Sequence, residues 1–419
     1  MKVLHLNTND ISGGAARAAN RLHNALKQKG IKSYILVQRK QKNDPTIFGA
    51  KSNLYFRGVN YLRSKIDHFP KKFYPNRQKV PWSINWVSSP FLIKKIKKIN
   101  PDIIHLHWIN GGFVSIKDIK RISKLNKSIV WTLHDSWAFT GGCHIPHDCK
   151  EYEKSCGKCL LLGSYKEYDL SRKNWLRKKN LFSKTKMTIV TPSNWLSKCA
   201  KKSSLLKNKN IYVIPNSIDV NKFRLLDKNK LRKELGLSEN KKYLLFGAMG
   251  ATTDKNKGFD LLLKSLKLLK NTENLELIVF GNKNNLKIET KIPIHLFGKI
   301  DDTRKLNKLY SVSDVTIVSS RSENLPNIIL ESFSCGTPVV GFNVGGMPDI
   351  INHKKNGYLA KYKNTKDLAK GIEFCLFNKK LGKNAREKAV KEYNQKIQAK
   401  NYTSLYKLLQ KTKINPPGE

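Results

Sequence analysis

Acidic residues are scarce in this sequence. Its 419 residues include 80 lysines and arginines but only 31 aspartates and glutamates, which leaves a formal net charge of +49 at pH 7. Such an excess favours anionic partners, whether nucleotide phosphates, an acidic membrane face or nucleic acid. Lysines occur in nearly every segment, so a drift of the whole composition toward lysine, asparagine and isoleucine accounts for the excess equally well.

Long apolar runs are missing as well. No stretch reaches the roughly 20 consecutive apolar residues of a membrane-spanning helix. The N-terminal residues 1–10 have the pattern of a strand and not of a signal peptide. We therefore expect a cytoplasmic protein, which could still bind peripherally to the inner face of the cell membrane.

Signature motifs of several other function classes are also absent. No zinc-finger, helix-turn-helix or RNA-binding pattern accompanies the charge, so a basic nucleic-acid-binding protein is an alternative supported by charge alone. The glycines after the first predicted strand lack the G-x-G-x-x-G spacing of dinucleotide-binding proteins. There is no Asp-x-Asp metal motif, and Asp301-Asp302 is predicted to cap the helix that follows.

What the chain does contain is an alternation of apolar strands and amphipathic helices over a length that favours two domains of roughly 200 residues each. Strands are predicted at 2–6, 33–37, 102–107, 128–133, 186–190, 211–214, 243–247, 275–280, 294–297, 315–318 and 338–342. Helices are predicted at 15–29, 259–270 and, without interruption, 385–411. This alternation predicts doubly wound α/β domains, whose ligands lie beyond the carboxyl ends of the strands.

The most informative stretch follows the predicted strand 315–318. Glu323 lies in the loop after this strand, and Glu331 follows eight residues later on a short helix. Pro326 suits the first helical position, and Gly336 suits the residue just past the helix end. Two carboxylates and several backbone N–H groups are thus expected to converge on one crevice.

Small or polar residues follow several other predicted strands. Gly13 and Gly14 form a turn before the first predicted helix, where backbone N–H groups can approach an anion. His134 and Asp135 follow the fourth predicted strand, and Asn216 follows the sixth. A single histidine is more often a structural residue than a ligand-binding one, and only the strand-end position and the following aspartate favour a functional role here.

These residues together resemble the retaining glycosyltransferases of family 4. The resemblance is carried by Gly13-Gly14, His134-Asp135, Pro215 to Asp219, Lys257-Gly258, the Glu323 and Glu331 pair, and Cys335 to Gly346. The His-Asp-x-Trp segment followed by cysteines is similar to transferases of bacterial polysaccharide assembly, such as colanic-acid type enzymes. The resemblance implies a GT-B fold, with two Rossmann-like domains facing each other across a cleft.

The same resemblance implies an acceptor-side domain at 1–218, a donor-binding domain at 219–390, and a terminal helix at 391–419 that packs back on the first domain. It implies transfer of a sugar from a nucleotide donor such as a UDP- or GDP-sugar to a saccharide, with retention and without a catalytic metal. The expected acceptor is linked to polyprenyl diphosphate, in the synthesis of O-antigen, capsule or exopolysaccharide.

Residue roles also follow from the resemblance. Glu323 and His134 are expected at the transferred sugar as catalytic residues, and Glu331 is expected at the ribose hydroxyls. The other implied donor-binding residues are Gly13, Gly14, Lys257, Asn324 and Leu325, with Asp135, Asn216 and Lys255 as further candidates. Lys257 is the expected partner of the diphosphate. The arginine that the family usually has a few residues earlier is missing, and Lys255 lacks the bidentate geometry of a guanidinium.

A hydrolase or phosphorylase on the same fold is the remaining enzymatic alternative. A glycoside hydrolase needs two carboxylates that flank one scissile bond, whereas one loop glutamate and one helix glutamate suit nucleotide-sugar recognition better. A phosphorylase would need a cofactor-binding lysine context that the sequence does not show.

The segment 51–98 is basic and aromatic, and its pattern has two interpretations. It fits an amphipathic stretch that lies on an anionic bilayer with its lysines toward lipid phosphates. It fits slightly better an ordinary helical insertion whose aromatic side chains fill a local core.

Four of the seven cysteines fall in one short stretch, namely Cys143, Cys149, Cys156 and Cys159. In a reducing compartment such a cluster is more typical of a metal site than of disulfides, and the final C-x-x-C is a good half-site for structural zinc. His144 and His147 are possible substitute ligands. The alternative is a set of free thiols packed in an insertion.

Overall fold

The computed structural model describes residues 1–50, 54–248, 250–281 and 290–414. The chain forms two compact units. One comprises Met1–Pro215 together with the C-terminal stretch from Gln398, and the other comprises Asn216–Ile397. The sequence-based boundaries were 218 and 390.

The first unit is built on a seven-stranded parallel sheet. Its strands are β1 (Lys2–Asn9), β2 (Lys32–Arg39), β3 (Ile47–Ala50), β4 (Ile103–Leu106), β5 (Ser128–Thr132), β6 (Thr188–Thr191) and β7 (Ile211–Val213), in the order β3-β2-β1-β4-β5-β6-β7. Its helices are α1 (Gly14–Gln28), α2 (Leu54–His68), α3 (Leu92–Ile99), α4 (Ile116–Ser123), α5 (Leu170–Phe182) and α6 (Asn194–Lys202).

The second unit has a six-stranded parallel sheet. Its strands are β8 (Lys242–Gly247), β9 (Leu275–Phe280), β10 (Ile294–Leu296), β11 (Val315–Val318), β12 (Val339–Phe342) and β13 (Gly357–Ala360), in the order β10-β9-β8-β11-β12-β13. The helices from residue 228 onward are α7 (Lys228–Glu234), α8 (Phe259–Leu266), α9 (Thr303–Val312), α10 (Asn327–Ser334), α11 (Met347–Ile350), α12 (Thr365–Phe377), α13 (Lys380–Glu392) and α14 (Gln395–Ile414).

The doubly wound α/β class predicted from the sequence is confirmed for both sheets. Each sheet reverses its strand order once, between β1 and β4 in the first unit and between β8 and β11 in the second. In such sheets ligands bind beyond the carboxyl ends of the strands at this reversal. The loops after β8 and β11 carry Lys257 and Glu323, so both residues lie at this edge of the second sheet.

Several strands predicted from apolar runs are buried on both faces of the first sheet. Leu4, Leu6 and Ile104 are fully buried on one face of the first sheet, and a separate cluster on Val3 and Val130 includes side chains of α14. Strands covered on both faces carry near-continuous apolar sequences, which is why they were visible from the sequence.

The C-terminal helix predicted at 385–411 is wrong as a single element. It is two helices, α13 and α14, interrupted at Tyr393 and Asn394. The backbone N–H of Ile218 donates to the Tyr393 carbonyl at 2.8 Å, and the Gln395 N–H donates to the Ile218 carbonyl at 3.1 Å. This pairing with a distant residue takes the chain out of helical geometry, although the local sequence contains no helix breaker.

Of the predictions for helix ends, two are confirmed and one is wrong. Asp302 caps α9 as predicted, accepting the Arg304 N–H at 2.8 Å. Gly336 follows α10 with a φ of +75°, also as predicted, whereas Pro326 is the N-cap of α10 and not its first residue. The strands β3 and β13 were not predicted.

The predicted basic segment 51–98 begins with residues 51–53, which lie outside the described residues. From residue 54 it forms α2, a 3-10 turn at Phe69–Phe73, irregular backbone and α3. None of the helices in the described part of the chain is long and apolar enough to cross a membrane.

Candidate functional site

Lys257 and Glu323 lie together at the carboxyl edge of the second sheet. The Lys257 Nζ is 2.7 Å from Glu323 Oε1, and the Ser320 hydroxyl donates to the same oxygen at 2.9 Å. The two side chains are 25% and 15% exposed, so both remain accessible to a ligand. The Glu323 charge raises the pKa of the Lys257 ammonium, outweighing the opposite effect of burial. The structure thus joins two residues that the sequence placed 66 positions apart.

Two glycines let the backbone close around this pair. Gly258 has a φ of +68°, and a Cβ there would lie 2.0 Å from the Ser319 carbonyl oxygen. Gly345 has a φ of +59°, and a Cβ there would lie 1.9 Å from the Glu323 carbonyl oxygen. That oxygen accepts the Gly346 N–H at 3.0 Å. Both close approaches exclude a side chain, so the loop that carries Glu323 is held by its backbone.

Arg321 stabilises the same loop through side-chain and backbone hydrogen bonds. Its role was not predicted from the sequence. Its guanidinium binds the Asp260 carboxylate through two hydrogen bonds of 3.0 and 2.6 Å and also donates to the Lys255 carbonyl. Its backbone N–H donates to the Asn256 carbonyl at 2.7 Å. Only its position two residues before Glu323 hinted at a role. Arg321 therefore places a guanidinium beside the loop that carries Lys257, although no arginine precedes Lys257 within that loop.

The exposed Lys255 side chain takes no part in that fastening, which uses its backbone carbonyl. Asn216 is buried at the start of the second unit. Both residues remain donor-binding predictions.

Glu331 is nearly buried on α10, at 4% exposure. Its Oε2 accepts the Tyr310 hydroxyl at 3.0 Å, so the carboxylate has a defined orientation. Asn324 is half-buried and Leu325 is buried, and both precede the N-terminus of α10. Helix N-termini favour anions because their backbone N–H groups point outward. The predicted glutamate pair therefore brackets a helix N-terminus.

In the first unit, Gly13 and Gly14 stand where β1 leads into α1. Gly13 is the N-cap of this helix with a φ of +95°, and Gly14 is its first residue. A Cβ at Gly13 would meet no atom within 4 Å. The left-handed backbone, and not crowding, is therefore the reason for glycine at this position.

Both carboxylate oxygens of Asp135 form hydrogen bonds with other groups of the protein. Its Oδ2 lies 2.6 Å from His144 Nδ1 and accepts the Trp108 indole N–H at 2.9 Å, while Oδ1 accepts the Trp137 N–H at 2.9 Å. Burial alone would raise the pKa of this carboxyl, but His144 and these hydrogen bonds hold it below its usual range. The Asp135 carboxylate therefore anchors the loop after β5. His144 also bonds Ser83 at 2.8 Å, so both of its ring nitrogens already have partners.

His134 belongs to a chain of hydrogen bonds, most of them buried, that the sequence did not reveal. Distances of 3.1, 2.9, 3.2 and 2.8 Å link in turn His134, His107, His5, Ser33 and His23. Burial lowers the pKa of His134 and of His23 to about 4, and it lowers the pKa values of the other two histidines strongly. These rings are therefore neutral at pH 7.

Three histidines of this region, His5, His105 and His107, have ring nitrogens within 4.8 Å of one another, a spacing that would suit a metal ion. Each of their ring nitrogens already has a hydrogen-bond partner. Those of His105 are the hydroxyls of Tyr406 and Thr132, both at 2.7 Å. The group is therefore a satisfied polar network inside the first unit.

The four clustered cysteines are all free thiols. Cys143 and Cys156 are buried, whereas Cys149 and Cys159 are half-buried. The Gly141 N–H donates to the Cys156 sulfur at 3.0 Å. The structure thus packs Cys156 against the segment that carries Cys143.

In comparisons with known proteins, each half of the chain matches a different protein family. Residues 12–222, half of the chain, match the family described as Glycosyltransferase Family 4. Residues 227–392 match the family described as Glycosyl transferases group 1. The chain belongs to glycosyltransferase family 4. The family resemblance and the enzyme class expected from the sequence are thereby confirmed.

Two of three curated relatives of this family 4 glycosyltransferase match most of its length, and the third matches about half of it. The N-acetyl-alpha-D-glucosaminyl L-malate synthase of Bacillus anthracis is 25% identical over 85% of this chain and 84% of its own. A protein of Escherichia coli K12 named as a colanic acid biosynthesis glycosyl transferase is 23% identical over 84% and 85%. A Campylobacter jejuni N,N'-diacetylbacillosaminyl-diphospho-undecaprenol alpha-1,3-N-acetylgalactosaminyltransferase is 29% identical over 48% of this chain and 55% of its own.

Solved structures support the GT-B fold of this glycosyltransferase. A sucrose-phosphate synthase of Thermosynechococcus elongatus superposes with a TM-score of 0.69 at 16% identity, over 98% of this chain and 100% of its own. The Anabaena protein HepE, solved with UDP and glucose, has a TM-score of 0.66 at 15% identity, over 97% and 99%. At these identities the likeness concerns the fold.

Proposed function

We propose that this family 4 glycosyltransferase moves a sugar from a nucleotide diphosphate donor to a saccharide acceptor, with retention at the anomeric carbon and without a catalytic metal. The observation that carries the proposal is the half-buried, ligand-accessible pair of Lys257 and Glu323 at the strand-order reversal of the second sheet. Loss of a nucleoside diphosphate builds negative charge on phosphate, and a fixed ammonium is one of the groups that stabilise such charge.

The ion pair also suggests how the donor is received. A diphosphate is a stronger partner for Lys257 than one carboxylate, so the ammonium would move from Glu323 to the phosphate oxygens. Glu323 would then accept hydroxyls of the transferred sugar and stabilise positive charge at its anomeric carbon. Ser320 and the glycine-clamped backbone keep this carboxylate in place throughout.

The remaining donor contacts are proposed for α10 and the first unit. Glu331, oriented by Tyr310, would accept the ribose hydroxyls, and the helix N-terminus after Asn324 and Leu325 would face phosphate. His134 is a neutral ring at pH 7, so it would serve as a hydrogen-bond partner for a sugar hydroxyl. Gly13 and Gly14 are proposed as further donor-binding residues, through their backbone N–H groups.

The acceptor is proposed to be a saccharide linked to polyprenyl diphosphate, used in cell-surface polysaccharide synthesis. The names of the Campylobacter and Escherichia relatives support this class. A surface on α2 and the following turn supports a membrane-bound acceptor, since it exposes large apolar side chains: Tyr61, Leu62, Ile66, Phe69 and Phe73. Lys65 and Lys72 lie 5.3 and 5.7 Å from the ring centres of Tyr61 and Phe69, a combination typical of anionic membrane surfaces.

The donor assignment is tested by mixing nucleotide sugars with purified protein. A bound donor should raise the melting temperature by mass action, with UDP-sugars tested first because the fold neighbour HepE was solved with UDP. Lys257→Ala should abolish this shift, whereas Lys241→Ala, at a partly exposed lysine of the same unit, should retain it. A Lys257→Ala protein that binds donor as well as the wild type would refute the assignment.

Turnover separates the transferase from its alternatives. Sugar transfer should require donor and acceptor together. Release of free sugar from a glycoside without an acceptor would indicate a hydrolase, and nucleic-acid binding without sugar transfer would indicate the basic binding protein suggested by charge.

Membrane binding is tested by flotation with liposomes. We expect recovery with anionic vesicles at moderate salt, and a marked reduction for the double variant Phe69→Ser, Phe73→Ser. Val390→Ser and Leu408→Ser, at two exposed apolar positions elsewhere, provide the matched control. Equal recovery of the wild type with neutral and anionic vesicles would argue against an electrostatic membrane role.

A further inference from the structure

A line of hydrogen-bonded side chains crosses the sheet of the first unit, from His134 through His107, His5, Ser33, His23 and Thr46 to Asp44. It begins after β5, passes β4, β1 and β2, and ends before β3. We propose that this histidine line carries its hydrogen bonds in one direction only, toward the Asp44 carboxylate. It thereby fixes His134 with its proton on Nε2 and with Nδ1 as a hydrogen-bond acceptor.

The Asp44 end of the line sets the direction. The ring of His23 on α1 lies 2.8 Å from the Ser33 hydroxyl and 3.0 Å from the Thr46 hydroxyl. Thr46 donates its only hydroxyl proton to Asp44, with 2.5 Å between the two oxygens. This bond has one possible direction, because an ionised carboxylate can only accept. Thr46 must therefore accept from His23, whose Nε2 carries the proton.

Neutral rings pass this direction from one residue to the next. A neutral imidazole has one N–H donor and one nitrogen acceptor. Since Nε2 of His23 donates, its Nδ1 accepts the Ser33 hydroxyl. The Ser33 oxygen can then only accept from Nε2 of His5, at 3.2 Å. The same rule makes Nε2 of His107 the donor to Nδ1 of His5, at 2.9 Å.

The last bond of the line reaches the loop after β5. Because Nε2 of His107 donates to His5, Nδ1 of His107 accepts from Nε2 of His134, at 3.1 Å. Any group that meets Nδ1 of His134, whether of the protein or of a sugar, must then donate to it. The half-buried His134 ring lines a small pocket together with Trp108 and Trp137. The other members of the line are thus positioning residues for the ring of His134.

The opposite direction conflicts with the same contacts. It would need Thr46 to donate to His23, which would leave no proton between the Thr46 and Asp44 oxygens at 2.5 Å. A charged ring in the middle would donate on both sides. In the described part of the chain, however, the ring nitrogens of His5 and His107 bond to hydroxyl and imidazole groups and not to carboxylates. Burying a charge without such a partner is costly, and burial accordingly lowers the pKa values of both rings.

His105 lies beside the line without joining it. Its ring centre is 4.1 Å from that of His107, but its nitrogens bond to two other hydroxyls, one of them that of Thr132 at 2.7 Å. Removing the Thr132 hydroxyl therefore disturbs a buried histidine close to the line and leaves the line itself intact. Thr132→Val is thus a matched control for Thr46→Val, which removes the last hydroxyl of the line.

The proton position on His134 can be measured directly in the full wild-type chain. NMR of isotope-labelled histidine nitrogens distinguishes protonated from unprotonated ring nitrogens, and the spectrum of His134→Gln identifies the signals of His134. We expect a neutral ring with its proton on Nε2. A wild-type His134 that carries its proton on Nδ1 overturns the proposal, and this measurement needs no variant of the line to fold.

Thr46→Val tests whether the direction is set at the Asp44 end. It leaves the His23 Nε2–H without its acceptor, so the line should reverse in part. The ratio of the Nδ1–H to the Nε2–H form of His134 should rise about fivefold, the effect of one lost hydrogen bond. Ser33→Ala, which cuts the line between β1 and α1, should have the same effect, and Thr132→Val should have none. An unchanged ratio in Thr46→Val or Ser33→Ala, or an equal rise in Thr132→Val, overturns the proposal.

The consequence for sugar transfer rests on the proposed function. In a reversed line Nδ1 of His134 becomes a donor, so a sugar hydroxyl can no longer donate to it. We expect kcat/KM to fall about fivefold in Thr46→Val and to stay at the wild-type value in Thr132→Val. The proton position is measured without turnover, so the two proposals fail separately. The expected Nε2–H form in a chain without transferase activity would support the histidine line and refute the proposed function alone.

Discussion

Glu323 is held at two points of the same residue. Its carbonyl accepts the Gly346 N–H, while its carboxylate receives Lys257 and Ser320. Backbone and side chain are thus both positioned before any ligand arrives. Such preorganisation lets a group stabilise developing charge without a reorganisation penalty during the reaction.

Replacing Glu323 by glutamine should therefore lower kcat by at least about 100-fold, because the amide keeps the shape but loses the negative charge. Initial rates of sugar transfer at saturating donor would measure this. Glu276→Gln is a close control, since Glu276 is also 15% exposed and also has a nitrogen partner at 2.7 Å, the His295 ring. Equal loss in both variants, or no loss in Glu323→Gln, would contradict the assignment.

Tyr310 gives a second residue-scale prediction. Tyr310→Phe removes the hydroxyl that orients Glu331 and should raise KM for the donor about 5-fold, the effect of one lost hydrogen bond. Tyr393→Phe loses a similar bond, to the Asp349 carbonyl at 2.9 Å, and should leave KM unchanged. Donor titrations of both variants decide this, and an unaltered KM in Tyr310→Phe would argue against ribose binding at Glu331.

At the scale of elements, the loops after β8, β11 and β12 support one another. Gly258 contacts Ser319, Arg321 clamps the chain near Lys255, and Gly345 contacts Glu323. Each contact joins two loops that follow different strands. The arrangement of Lys257 and Glu323 therefore depends on loop packing as much as on their own side-chain contacts.

Gly345→Ala tests this dependence. A methyl group there would lie 1.9 Å from the Glu323 carbonyl oxygen, so the loop must shift. We expect loss of donor binding and a free energy of unfolding lower by about 2 to 4 kcal/mol, which combines left-handed strain with overpacking. Gly236→Ala has the same kind of backbone, with a φ of +67°, but no atom within 4 Å.

The Gly236→Ala control should lose only the strain contribution, about 1 to 2 kcal/mol, and should keep donor binding. Urea unfolding and donor titration of the two variants separate strain from collision. Equal effects in both would show that the contact with Glu323 is unimportant.

Element boundaries show where local sequence was sufficient. The apolar runs at 275–280 and 315–318 became β9 and β11 without change, because continuous apolar sequence marks a strand buried on both faces. β13 at Gly357–Ala360 was missed because it begins with glycine and its middle residues are only half-buried. The break between α13 and α14 was missed because a distant residue, Ile218, causes it.

At the scale of the whole molecule, the buried histidines link stability to pH. The unfolded chain has histidine pKa values near 6.5, whereas burial lowers the pKa of His23 to about 4 in the folded protein. Below pH 6.5 the unfolded state therefore binds more protons, and stability falls as the pH falls toward 4. Above pH 6.5 both states are neutral and the contribution vanishes.

By pH 5, His23 alone should lower the free energy of unfolding by about 2 kcal/mol relative to pH 7.5. Its charged neighbours are Lys27, Lys42 and Asp44, whose charges change little over this range. Urea unfolding at both pH values should show a smaller pH effect in His23→Gln, by about 2 kcal/mol. His68→Gln, at an exposed histidine, should match the wild type. Identical pH dependence in all three proteins would refute the linkage.

The sequence by itself determined the fold class and the family. Strand and helix periods are local properties, and so are the Asp302 cap and the glycine at 336. The spacing of Glu323 and Glu331 is local as well, since both lie on one loop and helix. Short-range chemistry was sufficient for all of these, because each depends on neighbours within a few residues.

Tertiary structure alone decided which distant residues meet. The pairing of Lys257 with Glu323 required β8 and β11 to be neighbours in the sheet. The link between His5 and His107 required the register of β1 against β4. The contact between Arg321 and Asp260 required the segments that carry them to pack together. Parallel strands place residues far apart in sequence side by side, and no local pattern encodes which strands those are.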